Sequence, residues 1–251
     1  MHMYLYLLPV YFSSMALPIL STVSYLNGVS ALFLLFWGLS NFVRYTLYYF
    51  KEKKKLQPIV ALLGITMGSF SLGPSVSFIS LLATGANIDH ITYGLLSYTL
   101  QPVTILLAMY LGFEVFKKEK QKLFVGIFTF LGIVFLVILW GWSEDMIVAQ
   151  PVESGELLDV TLTSIALLYS IVNLLSLPVI ISTGFARLRK SVSDPRAARR
   201  SKFLVRGWIV FAIAAILETV VPSQYVIIPR FFMSAAFINI FAGFKPIKKK
   251  D

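Results

Sequence analysis

The chain has 251 residues, 57% of them hydrophobic and only 14% charged, with a mean hydropathy of +0.79. A soluble globular chain averages about 45–50% apolar and about 25% charged residues, so this composition leaves too little polar side chain to cover a water-facing surface. With 22 Lys and Arg against 12 Asp and Glu and no cysteine, the chain is basic, and disulfides, thiolate nucleophiles, Cys-ligated zinc and iron–sulfur clusters are excluded.

A helix needs about 20 apolar residues to cross about 30 Å of hydrocarbon, and charge punctuation delimits the candidates in chain order. The first residues are apolar but lack a basic start and a small-residue cleavage site, so they are expected to be a retained helix, not a secretory signal. The first span is predicted at 4–26 and the second at 31–50, divided at Asn27-Gly28, a turn-forming pair. Left undivided, that stretch would make a helix of about 70 Å, too long for a bilayer. Spans at 58–83, 91–116, 123–142 and 160–185 follow, and 123–142 is twenty residues without a charge. Ser193-Asp194-Pro195 places an N-cap acceptor before a first-turn proline, so the next helix is predicted to start near Pro195 and to cross at 203–221. Pro222-Ser223-Gln224 predicts a tight turn into a final span at 225–244.

The expected fold class is therefore all-α, a polytopic transmembrane helix bundle of about eight spans. These form four hairpins, residues 1–55, 56–122, 123–202 and 203–251, with no extramembrane domain. The alternative is seven spans with the N-terminus outside. Of the 22 basic residues, 21 fall at one set of span ends, Arg230 being the exception, and the positive-inside rule makes that side cytoplasmic. Asp89, Glu144, Asp145, Glu153, Glu156 and Asp159 fall at the other side with no base among them. Both termini are expected in the cytoplasm, and the protein in the plasma membrane of a prokaryote.

Small residues spaced by four let helices approach closely, which marks Gly64 with Gly68 and Ala108 with Gly112 as helix contacts. Three spans combine a proline with uncharged hydrogen-bonding groups: Ser71 and Ser75 beside Pro74, Gln101 before Pro102, and Tyr169 and Asn173 before Pro178. A broken helix lining a polar cavity is one way to build a midplane binding site, so Ser71, Ser75, Gln101, Tyr169 and Asn173 are the candidate pocket. The alternative is that they bond neighbouring helices, at roughly 0.6 kcal/mol each.

Ionisable groups inside a membrane are functional candidates. Arg44 can extend to the headgroups. Glu218 and Arg230 flank the last turn, where antiparallel packing would bring them within salt-bridge reach, as a structural clamp or as an ion or proton gate. No acid lies deeper than Glu114 in the first six spans, which disfavours proton-coupled transport. There is no HExxH motif, no membrane histidine to activate a serine and no pair of buried aspartates, so no enzyme, metal or cofactor is expected. His90 follows Asp89 at a helix start, where the carboxylate serves the N-terminal dipole.

Eight of the twenty residues at 187–206 are basic. Arg187, Arg189, Arg196, Arg199 and Arg200 are expected to meet anionic lipid headgroups on the cytoplasmic side, or a cytoplasmic partner. Without interleaved aromatics before Phe203, nucleic acid is not expected. Three function classes remain. The first is a bundle that binds or passes a small solute or ion through its kinked third, fourth and sixth spans. The second is an accessory subunit of a larger membrane complex. The third is a seven-helix-like sensor acting through a separate effector, although the last span has no lysine for a retinal Schiff base. A homo-oligomer or a membrane complex is the expected assembly.

Overall fold

The structure, a computed structural model, describes residues 20–150 and 156–245. Among them, seven helices are long and apolar enough to cross a membrane: α1 (Thr22–Glu52), α2 (Gln57–Thr84), α3 (His90–Phe116), α4 (Lys118–Gly141), α6 (Ser164–Ser191), α7 (Pro195–Val220) and α8 (Ile227–Phe244). A one-turn helix α5 (Ser143–Met146) precedes a small antiparallel ribbon, in which β1 (Ile147–Ala149) pairs with β2 (Val160–Leu162) in the register Ile147 to Leu162. Phe36, Phe130 and Phe231 stand 67%, 67% and 72% exposed. Such an apolar exterior is stable only against lipid, so the chain is an integral multi-pass membrane protein built as an all-α bundle.

The division expected at Asn27-Gly28 is overturned, because α1 runs unbroken through it from an N-cap at Ser21, whose hydroxyl accepts from Ser24 N at 3.1 Å. Tertiary packing outweighs the local turn preference. Gly28 is buried where an added Cβ would collide with the Phe78 ring of α2, and the Asn27 carbonyl is claimed by Arg230 of α8 at 2.6 Å. The 31 residues of α1 are about 46 Å long, the length of one tilted span with its headgroup turns. Seven spans fall among the described residues, and the bulk of the expected first span, residues 4–19, lies outside them.

The second correction concerns the span expected to begin at Val160. Val160–Leu162 is a strand, and the helix starts at Ser164. The run Val160-Thr161-Leu162 alternates apolar and polar residues, which suits a half-buried strand; Val160 and Leu162 are buried and Thr161 is partly exposed.

At α7 the helix starts at Pro195, with the Asp194 carboxylate accepting from Arg196 N at 2.9 Å. The turn between α7 and α8 falls at Pro222 and a 3-10 turn, Ser223–Tyr225.

Helix α1 packs on α2 and α8, α7 pairs along its length with α8, α3 lies against α2, α4 and α6, and α6 against α7. The ring of contacts is thus closed, because α8 returns beside α1. Helix ends carrying Lys51, Lys117 and Arg189 form the basic end; the opposite, acidic end carries Asp89, Glu144 and the ribbon.

Three helices lose regular α-hydrogen bonding near a proline. Helix α2 tightens at Ser69–Ser71 before Pro74, α3 is interrupted between Tyr98 and Gln101 before Pro102, and α6 widens into a π-helical segment, Leu177–Ser182, that contains Pro178. A proline removes the N–H that would serve the carbonyl four residues earlier, here those of Phe70, Tyr98 and Leu174.

Toward the basic end the interior is filled by large apolar side chains, among them Trp208, Phe211, Phe237, Leu63 and Met67, all fully buried. A second apolar cluster, Tyr93, Phe135, Ile147, Leu162 and Ala166, seats the ribbon on α3, α4 and α6.

Candidate functional site

The three interrupted helices converge on one cavity. Phe70 and Tyr98, whose carbonyls lose the proline's N–H, and Leu174, whose carbonyl accepts from Leu177 N instead, all line it, together with Tyr93, Asp159, Glu218 and Arg230. Its volume is about 30 Å³, room for roughly one or two water molecules. It lies toward the acidic end, near the start of α3, the end of α7 and the start of α8.

Arg230, in the first turn of α8, is 4% exposed. Its Nε donates to Glu218 Oε1 of α7 at 2.7 Å, and its Nη1 donates to the Asn27 carbonyl at 2.6 Å and to Ser30 Oγ at 3.4 Å, both on α1. One guanidinium therefore ties three helices. The sequence spacing of Glu218 and Arg230 anticipated salt-bridge reach, and the two are in contact. A buried guanidinium is tolerable only when paired and hydrogen-bonded in this way.

The third ionisable group is Asp159, at the start of β2. A strap at residues 156–160 carries it over the bundle, held by main-chain anchors. Leu157 N donates to Ser24 Oγ at 2.9 Å, Leu158 N donates to Asn87 Oδ1 at 3.0 Å, and Asn87 Nδ2 donates to the Glu156 carbonyl at 2.7 Å. Gln150 N, beside β1, donates to the Asp159 carbonyl at 2.8 Å. Burial pushes the Asp159 carboxyl up to about 6; Arg230 opposes the rise, Glu218 adds to it, and hydrogen bonds from Val160 N and the Tyr93 hydroxyl oppose it. Desolvation of the charged form outweighs the nearby cation.

Two acids and one base thus share a cavity lined also by Ser97, Ser170 and Thr219. With Asp159 protonated the trio is neutral; with Asp159 ionised it carries one negative charge in a poorly solvated place. That arrangement can hold and release a proton. A metal cation is ill-suited to it, because Arg230 already supplies the positive charge and would repel a second; among the described residues no group of three His, Cys, Asp or Glu comes together.

The five candidate pocket residues do not line this cavity. Ser71 and Ser75 are buried in α2, and Ser75 Oγ has no protein partner. Gln101 is fully buried; its Nε2 donates to Ser170 Oγ at 2.6 Å, while its Oε1 has no protein partner. Asn173 Nδ2 donates to the Tyr169 carbonyl of its own helix at 2.8 Å, and the Tyr169 ring stacks on Phe135 with centroids 4.4 Å apart. Their neighbours Pro74, Ser170 and Leu174 reach the cavity instead, and Gln101 touches it through Ser170.

Of the expected packing residues, Gly64 and Gly68 lie against α1 at Gly38, Gly112 lies against Ile181 and Phe116, and Ala108 is buried. Arg187 lines a groove at the basic end, Arg189 lines another, and the Arg199 guanidinium lies over the Phe203 ring at 5.7 Å. Arg196 and Arg200 lie in the first two turns of α7. At the acidic end the Asp89 carboxylate caps α3, accepting from Thr92 N at 2.8 Å, and the hydrogen bonding from Thr92 holds its pKa below the usual value.

Sequence reasoning placed Asp159 among solvent-facing loop acids and passed over Tyr93 and Tyr98. The alternating run directly after Asp159 was the available signal that the loop folds back as a strand. No model of a known protein family matches the chain, and a search of the curated proteins finds no relative.

Proposed function

We propose that the protein is a proton-binding, pH-responsive membrane bundle. Its ligand is a proton held by Asp159 beside the Glu218–Arg230 pair. The reading belongs to the class of bundles that bind a small ion, and the observation that carries it is the enclosure of Asp159, Glu218 and Arg230 around a cavity of about 30 Å³. That volume suits water and a proton and is far below the roughly 300–1,000 Å³ of small-molecule pockets. The packed apolar interior between the cavity and the basic end, including Trp208 and Phe211, favours binding over passage.

The response runs through the strap. Asp159 is on the strap, Glu218 on α7 and Arg230 on α8, so the charge on Asp159 sets the attraction between the strap and the α7–α8 pair. By the positive-inside rule the acidic end faces outward, where it would sample the pH of the exterior.

Proteoliposomes containing the purified protein, with one pH indicator in the outer medium to read uptake and another entrapped to read flux, test this reading. An acid jump is expected to be followed by uptake of one proton per chain, absent in Asp159→Asn, and then no further change. Sustained flux would mean passage instead of binding, and equal uptake by the variant would remove Asp159 from the account.

A further inference from the structure

The basic end carries a second built feature, unrelated to the proton site. A groove of about 560 Å³ opens between the α3–α4 turn and α6. Lys117, Lys120 and Arg187 line it together with Phe116, Phe124 and Ile180, and no carboxylate does. Lys118, which pairs with Glu114 at 2.7 Å, is not part of the lining. Among the described residues none of the three lining cations forms an ion pair. Three like charges in one groove repel one another unless an anion joins them.

The apolar floor is set by packing. Phe116 lies where a Cβ on Gly184 would stand, and it meets Phe113 at 5.0 Å and, edge-on, Phe185 at 5.5 Å between centroids. Ile180 belongs to the π-helical segment of α6, a local widening often found at functional sites. A cationic rim above an aromatic and aliphatic floor, at the basic end of α3, α4 and α6 where the positive-inside rule sets the headgroups, complements an amphiphile better than a free anion, which would leave the floor uncovered.

We infer that this groove binds an anionic phospholipid, its phosphate among Lys117, Lys120 and Arg187 and the start of an acyl chain along Phe124 and Ile180. A neighbouring groove lined by Arg189, Lys190, Lys202 and Arg206 has similar charge but no aromatic residue in its lining, and it provides the control.

Native mass spectrometry of the full chain in mild detergent, with dioleoyl-phosphatidylglycerol or the phosphatidylcholine of the same chains, tests the site. Retained phosphatidylglycerol is expected, with affinity on the order of a hundredfold lower in Lys117→Ala/Lys120→Ala/Arg187→Ala, at about fivefold per cation. Lys190→Ala/Lys202→Ala/Arg206→Ala is expected to leave binding unchanged. Arg187→Gln alone, expected to weaken binding about fivefold, decides the matter if the triple variant fails to fold. Equal loss in both triple variants would reduce the effect to diffuse polybasic attraction and overturn the site. So would equal retention of phosphatidylcholine, or displacement of the lipid by inorganic phosphate.

Discussion

At the scale of single residues, the protein rests on placing three ionisable side chains where water is scarce. Asp159 and unfolded aspartate differ in proton affinity, and the difference sets a pH dependence of stability. Its folded value is raised to about 6 against about 3.9 for a free side chain. The stabilising contribution of the bound proton is therefore complete below about pH 4 and is lost as pH rises through about 6, on the order of 3 kcal/mol in all. Thermal unfolding of the wild type should fall across that window, while Asp159→Asn should be flat there. The neighbours shift the midpoint in opposite senses. Arg230→Met should raise it, and Glu218→Gln should lower it, because the cation favours and the anion disfavours the ionised form. Arg230→Met also strands Glu218 and should cost about 3–5 kcal/mol, most of it recovered in Arg230→Met/Glu218→Leu. The Glu218–Arg230 contact was legible in the sequence, because two charges flanking a short turn between antiparallel helices have few other ways to meet. Asp159 was not, since its burial depends on a strap anchored by Asn87 and Ser24, residues distant in sequence whose pairing no local pattern announces.

At the scale of elements, helix boundaries were readable where charge and proline stop a helix, as at Pro195 and Pro222, and misread where a turn-forming pair lies inside one. Asn27-Gly28 has the composition of a turn, yet its small size serves contact with Phe78 and its carbonyl serves Arg230. Gly28→Ala gives opposing effects: about 1 kcal/mol of helix propensity is gained, against about 1–3 kcal/mol for forcing a methyl into a filled space. The clash should win, lowering the unfolding temperature, and Gly28→Ala/Phe78→Leu should recover the loss. If Gly28→Ala were stabilising, close contact between α1 and α2 would not explain the glycine. The polar groups beside Pro74, Pro102 and Pro178 lie on the helices that border the cavity, while their neighbours Pro74, Ser170 and Leu174 line it. Phe70, Tyr98 and Leu174, each four residues before a proline, line the cavity, while Asn173 bonds within its own helix and the Tyr169 ring stacks on Phe135.

At the scale of the whole molecule, composition established the membrane bundle, and the sorting of charges assigns its two ends. The absence of native cysteine makes orientation directly measurable. Glu144→Cys should react with an impermeant maleimide added to intact cells, and Lys55→Cys only after permeabilisation; the reverse pattern would invert the topology and put the proton site toward the cytoplasm. A desolvated carboxyl beside the Glu218–Arg230 pair, a water-sized cavity and a strap anchored on α1 and the α2–α3 loop together make one claim, that this bundle holds a proton at Asp159. Infrared difference spectroscopy of the protein in lipid bilayers, taken from about pH 5 to about pH 8, addresses that claim most directly. A protonated-carboxyl stretch that vanishes with a midpoint near the value of about 6, and that is missing from Asp159→Asn, is the expected result. A spectrum without that band at about pH 5, or one unchanged by Asp159→Asn, would contradict it.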